Sequence, residues 1–206
     1  MKGLNVLKKL FTGWVLMAWL CGAALAETAP DALVRQISGD VIETAKADKS
    51  IQAGDVAKII VLVDTKVMPS VNFEAMTRSA VGPQWRGATP EQRSRLQAEF
   101  KTLLVRVYAG ALSQVKDQTV EVIKTQPVPG SSQVVVQSEV RGKGEPIRLD
   151  YRLEKAEDSW KIIDVNVGGI WLVTSYRSQF AQEISTGGIA GLITKLVERN
   201  KAGGKG

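Results

Sequence analysis

After Asp117 the spacing of apolar residues in this chain changes from helical to alternating, and after Gly168-Gly169 it changes back. A strand gathers apolar residues of period 2 on one side and a helix gathers those of period near 3.6, so the elements are ordered as helices, then strands, then helices. Val120 and Val122 flank Glu121 in a first strand, and a Pro-Val-Pro-Gly-Ser-Ser turn region follows at 127–132. In a second strand Val134, Val136, Ser138 and Val140 share a face, with Val135 making the other face partly apolar. In the third, Ile147, Leu149, Tyr151 and Leu153 face one way and Arg148, Asp150 and Arg152 the other. Gly142 and Gly144 turn the chain before it; Glu157-Asp158-Ser159 turns it again into a fourth strand from Trp160 to Val167. Connections this short join antiparallel neighbours. The fold class is α+β, an antiparallel sheet of about four strands packed with N-terminal and C-terminal helices.

The helices carry their own start and stop signals. Asp31 is expected to cap a helix reaching about Asp48, with Leu33, Ile37, Val41 and Ala45 as its stripe. A second helix follows Asp55, with Val56, Ile59, Ile60, Val63 and Val67 on one face, and Pro69 stops it. Asn72 caps a short third helix, Phe73 to about Ala80, that Gly82-Pro83 terminates. Thr89-Pro90-Glu91-Gln92 combines a hydroxyl cap, a proline at the first helical position and a glutamine able to reach back. The long helix it opens keeps Leu96, Phe100, Leu103, Leu104, Val107, Tyr108, Ala111, Leu112 and Val115 on one broad face. After the sheet, Leu172, Tyr176 and Phe180 share one side of a helix that Gly187-Gly188 ends, and Ile189, Leu192, Ile193, Leu196 and Val197 form a last one.

Composition removes most enzyme chemistry. Residues 1–26 read as a cleaved secretory signal: Lys2, Lys8 and Lys9, an apolar centre from Leu10 to Leu20, and Ala24-Leu25-Ala26 before Glu27. The apolar run is shorter than the roughly 20 residues of a membrane span. Trp19 and Leu20 stand where a lipid-attachment site at Cys21 would have small residues. Residues 27–200 are expected to form one domain, with 201–206 as a flexible tail. The single cysteine lies in the signal and the chain has no histidine, which excludes thiolate nucleophiles, histidine-based triads, ordinary zinc sites and disulfides. Without the three signal lysines the net charge is only +3, from 24 basic and 21 acidic residues. Arg86, Arg93, Arg95, Lys101 and Arg106 are interspersed with Glu91 and Glu99, the pattern of a solvated helix face rather than of a nucleic-acid stripe. A weak electrostatic role at a lipid surface or an acidic partner stays open.

Two segments together resemble a known family. Gly82, Trp85 and Arg86, followed by a capped helix with Phe100 and Tyr108, resemble its Gly-x-x-Trp-Arg turn and helix. Trp160, Lys161, Ile162 and Asp164, followed by Tyr176, Arg177 and Phe180, resemble its Trp-Lys-Ile-x-Asp strand and Tyr-Arg-x-x-Phe helix. The family is the MlaC or toluene-tolerance family of periplasmic phospholipid-binding proteins, and the likeness spans nearly the whole chain after the signal. It implies a nuclear-transport-factor-like fold enclosing an apolar pocket, and a shuttle carrying phospholipid between an outer-membrane lipoprotein complex and an inner-membrane ABC transporter. Outer-membrane lipid asymmetry is the implied outcome. No cofactor, metal or membrane span is implied, only transient membrane proximity. Gly168-Gly169-Ile170-Trp171 departs from the Glu-Gly-Val-Ser common at the family's corner.

Two acyl chains hold on the order of 30 methylenes, each costing about 0.8 kcal/mol in water, so a shuttle must enclose them. The expected pocket is at or beyond the upper end of the usual ~300–1,000 Å³. Its lining candidates are Ile60, Val63 and Val67; Leu103, Leu104 and Val107; Val136, Leu149 and Tyr151; and Val165, Val167, Ile170 and Leu172. Trp85 and Trp171 are candidates for the mouth or for buried anchors, and Arg177 for a headgroup contact, a carboxylate pair or a solvated cation. Two other readings stand beside this one: an enzyme of the same architecture using Asp150 or Asp164 as general base, and a protein adaptor with no cavity.

Overall fold

A computed structural model describes residues 29–157 and 159–203. The signal expected at 1–26 lies outside them, as do residues 204–206 of the expected tail. Helix α1 spans Pro30–Ala47, α2 Lys49–Gln52 and α3 Val56–Leu62; α4 spans Phe73–Val81, α5 Pro90–Ser113 and α6 Leu172–Ala202. Between α5 and α6 lie β1 Thr119–Pro127, β2 Gln133–Arg141, β3 Ile147–Ala156, β4 Ser159–Val167 and a two-residue β5, Ile170–Trp171. They form one antiparallel meander in the order β1-β2-β3-β4-β5. β5, which two residues of pattern cannot announce, covers one end of β4's outer edge. Val71 bridges to Ile162 at the other end, and the Asn72 N–H donates to the Ile162 carbonyl, so the edge is not left open.

Local chemistry accounts for each boundary. α1 starts two residues earlier than expected: Pro30 occupies its first turn, Ala29 is the N-cap without a side-chain bond, and Asp31 lies in the first turn beside Arg35 at 3.8 Å. A proline with its φ already helical displaces the capping role proposed for Asp31, leaving it to favour the helix dipole. Asp48 instead caps the unexpected α2, and Asp55 caps α3 through the N–H groups of Ala57 and Lys58. The second helix does not run unbroken to Pro69; after Leu62 it widens to a π turn, Val63–Val67, and tightens to a 3₁₀ turn, Met68–Ser70. Pro69 has no N–H to continue the ladder, and the Thr65 hydroxyl donates to the Val61 carbonyl at 2.7 Å. The Thr89–Gln92 capping box is present in both directions. Thr89→Ala is expected to cost about 1 kcal/mol, read as a lower urea midpoint at unchanged slope. Gly188, with φ 62° and ψ −166°, breaks α6 where the double glycine is expected to end a helix. The last part of α6 continues to Ala202, two residues into the segment read as tail.

Among the described residues, three buried apolar clusters organise the interior. The first joins α4, α5 and α6 around Phe100, whose ring meets Tyr176 and Phe180 edge-on at 5.0 and 5.1 Å. Those aromatics come from the two sequence segments that carry the family resemblance. The second joins α1, α2, α3 and α5 through Ala45, Ile51, Ile59 and Val105. The third seats α1 on the sheet through Val34, Ile37, Val136, Leu153 and Ile162.

Candidate functional site

Strand register decides which side chains share a face. Val136, Tyr151 and Val165 stand opposite one another across β2, β3 and β4. Leu149 stands opposite Val167, and Val167 opposite Ile170. Directly opposed residues lie on one face and neighbours along a strand alternate, so all six sheet candidates belong to a single apolar face. Val120, Val140 and Ile147 form a further row of it. Coverage along this face is graded. Where α1 crosses it, Val136 and Leu153 are 0 % exposed; Tyr151, Val165, Leu149 and Val167 are half-buried; Ile147 and Ile170, at the corner, are 54 % and 61 % exposed.

The helical wall shows the same gradient. Leu96 and Phe100 on α5 are fully buried and Leu103 nearly so, yet Val107, one turn further on the same stripe, is 55 % exposed. Leu104 and Tyr108 beside it are half-buried, and Ala111 is exposed. On this stripe the packing ends after Leu103, while an adjoining stripe of the same helix, Val105 and Ala109, stays buried in the second cluster. Ile60 and Val63 pack at the margin of the second cluster and Val67 at the margin of the third, all half-buried. Leu172 is buried in the helical cluster. Val71 and Val165 border both the helical and the sheet clusters. A close-packed domain usually merges such clusters into one core. Here a seam of half-covered apolar side chains runs between sheet and helices. Its outward tether is polar: the π turn holds Asp64 against Lys101 of α5 at 2.7 Å and Lys66 near Asp40 of α1 at 3.9 Å.

The buried carboxylates lie on the opposite side. Asp164, 3 % exposed, accepts from the N–H groups of Val165 and Val173 at 2.9 and 3.0 Å, and Arg152 stands 3.9 Å from its other oxygen. Trp171, the N-cap of α6, offers no side-chain acceptor, so this strand carboxylate caps the helix across the corner. Burial pushes its pKa up, and the two N–H groups and Arg152 hold it down in part. Asp150, 1 % exposed, accepts from the Ser138 N–H and from the Arg148 guanidinium. Asp150 pairs with Asn166 and Arg152 with Asp164, which places both carboxylates on the face away from the apolar seam. The one hydroxyl on the seam face held to α1 is that of Tyr151, 3.4 Å from Ser38 Oγ, and burial raises its pKa. Among the described residues no group of three or more metal-ligating side chains occurs.

Trp171 pairs with Asn166 and therefore stands on the polar face, with the Arg152 guanidinium 4.5 Å over its ring. Trp85 is 4 % exposed and serves as an anchor of the Gly82–Gly87 turn. Arg177 is exposed and lies against Gly82, not beside Asp164, whose cation is Arg152. Sequence reasoning did not assign Ile147, Val120, Val140 or Val71 to this surface. The first three continue an alternation already visible in their strands; Val71 lies between Pro69-Ser70 and the Asn72 cap and has no periodic signal.

A family model described as "MlaC protein" matches residues 35–198. The chain is 26 % identical over 197 residues to the intermembrane phospholipid transport system binding protein MlaC of Haemophilus influenzae, covering 92 % of each chain. It is 26 % identical over 175 residues to the toluene tolerance protein ttg2D of Pseudomonas putida, covering 84 % of this chain and 81 % of that one. A solved phospholipid-binding protein from Ralstonia solanacearum, in complex with a phospholipid, superposes with a TM-score of 0.81 at 43 % identity, over 85 % of this chain and 98 % of the other.

Proposed function

This chain belongs to the MlaC family, and from that membership we propose that it binds a phospholipid along the apolar seam and carries it between membranes. The observation that carries the reading is the incompletely covered apolar row itself: half-buried Leu149 and Val167 and exposed Ile170 on the sheet, with Val107 facing out of the packed stripe of α5. Acyl chains laid there replace water on surfaces the protein leaves unpaired, at about 25 cal/mol per Å² covered. No strong polar bond is needed, so loading and release stay near balance. The remaining candidates, Ile60, Val63, Val67, Leu103, Leu104, Val136, Tyr151, Val165 and Leu172, border the path this reading assigns to the acyl chains. The π turn Val63–Val67 is the natural place for it to widen, since such turns interrupt helices where function requires it.

The basic start, apolar centre and small-residue end of residues 1–26 support export, and the site of action is the periplasm. No helix among the described residues is long and apolar enough to cross a membrane. The protein docks in turn with an outer-membrane lipoprotein complex and an inner-membrane ABC transporter, and its transport maintains lipid asymmetry. It performs no catalysis: Asp164 is committed to capping α6 and Asp150 to Ser138 and Arg148, both away from the seam. Native mass spectrometry of protein purified from cells under non-denaturing conditions tests the reading. Mass increments matching phospholipid are expected; a protein that remains free of lipid after incubation with phospholipid vesicles would return the adaptor reading.

A further inference from the structure

Five arginines among the described residues face a carboxylate: Arg35 faces Asp31, Arg95 Glu99, Arg141 Glu121 and Glu139, Arg148 Asp150, and Arg152 Asp164. Arg78, Arg86, Arg93, Arg106, Arg177 and Arg199 have none within ion-pair distance among the described residues; of these, Arg86, Arg93 and Arg177 meet at one turn, Gly82–Gly87, and Arg78 stands four residues before it on α4. The Arg78 carbonyl receives the Gly82 N–H, and Arg86 lies within the turn. Arg93 donates to the Trp85 and Arg86 carbonyls at 3.3 and 3.2 Å and lies 5.5 Å over the Trp85 ring. Arg177 comes from α6, and its Nε would stand 3.7 Å from a Cβ at Gly82. Glu91 at the start of α5 forms an ion pair with none of them; its carboxylate bonds its own backbone N–H and Thr89, which holds its pKa down. The two motifs that carry the family resemblance, some 90 positions apart in the chain, thus meet at a cationic knuckle that the apolar seam does not use.

We propose that this turn docks the protein on the anionic phosphate surface of a lipid bilayer. Guanidinium forks pair with phosphate oxygens, and laterally mobile headgroups accommodate any spacing of the four cations, whereas a protein partner needs carboxylates fixed to match. The large exposed apolar residues are Val61, Val107, Ile123, Ile147 and Ile170, and none lies in the turn, so contact stays within the headgroup layer. Each arginine near an anionic surface strengthens binding about fivefold, so four give on the order of 500-fold: a hold that is real and still reversible. The turn precedes α5, and Val107 lies about 25 Å further along that helix at 1.5 Å per residue, so docking leaves the open end of the seam uncovered.

Co-sedimentation with vesicles tests this. Wild-type protein is expected to bind phosphatidylcholine–phosphatidylglycerol vesicles, to ignore pure phosphatidylcholine, and to detach as salt rises. Arg78→Gln with Arg86→Gln is expected to weaken binding by about 30-fold while circular dichroism and co-purified phospholipid stay unchanged. Equal binding to neutral vesicles, unchanged binding by the double variant, or no vesicle binding by the wild type would overturn the proposal, the last being the result if an acidic protein is the true partner. Salt-sensitive docking by a lipid-free protein would uphold it and count only against the cargo reading.

Discussion

Leu149→Asp yields a folded protein that purifies without phospholipid, on the geometry of the seam. Leu149 sits on the apolar sheet face opposite Val167, half-buried, one row inside the exposed Ile147. Its backbone carbonyl accepts from the Ser138 hydroxyl, a bond the substitution does not touch. Without lipid, water reaches an aspartate there and the fold tolerates it. With acyl chains laid along the face, the carboxylate loses its water without gaining a partner, a cost of several kcal/mol. The differential cost falls on the loaded state alone. Native mass spectrometry reads the cargo and thermal unfolding reads the fold. Retained lipid in a folded variant would remove Leu149 from the site. Val165→Asp is expected to abolish loading too, but Val165 borders two clusters, so it also lowers stability and is informative only where the variant remains folded.

The largest expected loss of stability from a polar residue is at Asp164. Asp164→Ala removes the acceptor for the Val173 and Val165 N–H groups and the partner of Arg152, leaving buried donors unpaired; about 2–4 kcal/mol is expected. Asp164→Asn keeps an acceptor oxygen at the cap and recovers most of it. The pH dependence separates the two contributions. The folded pKa of Asp164 is raised, mainly by burial, so the folded state holds the proton more tightly than the unfolded chain. Its contribution to stability is therefore fully present below the unfolded value of 3.8 and declines as pH rises through the folded pKa. Relative to Asp164→Asn, the wild type gains stability as pH falls toward 4, measurable by urea unfolding across that window. An opposite slope would mean that the ion pair with Arg152 outweighs burial.

The elements were legible because each is written locally. The Thr89 capping box, the Asn72 cap, the alternation of Ile147 to Leu153 and the double glycine at 187–188 each depend on residues within a few positions of one another. Expectations that failed locally did so by competition between neighbours: Pro30 took the start of α1 from Asp31, and Thr65 with Pro69 turned a continuous helix into π and 3₁₀ turns. The sheet candidates for the seam were named together because their faces follow from alternation. Trp171 and Arg177 went to other surfaces for reasons no spacing contains. β5 reverses at Gly168-Gly169 and pairs Trp171 with Asn166, and α6 brings Arg177 to a glycine in a distant turn.

Sequence alone determined the order of elements, the apolar face of each strand and helix, and the absence of imidazole chemistry, since these depend on residue type and spacing. Tertiary structure decided how far each face is covered. Phe100 and Val107 occupy one stripe of one helix, yet one is fully buried and the other 55 % exposed. Periodicity states which way a side chain points; what stands opposite it is settled by the packing of segments remote in the chain, and here that packing stops short.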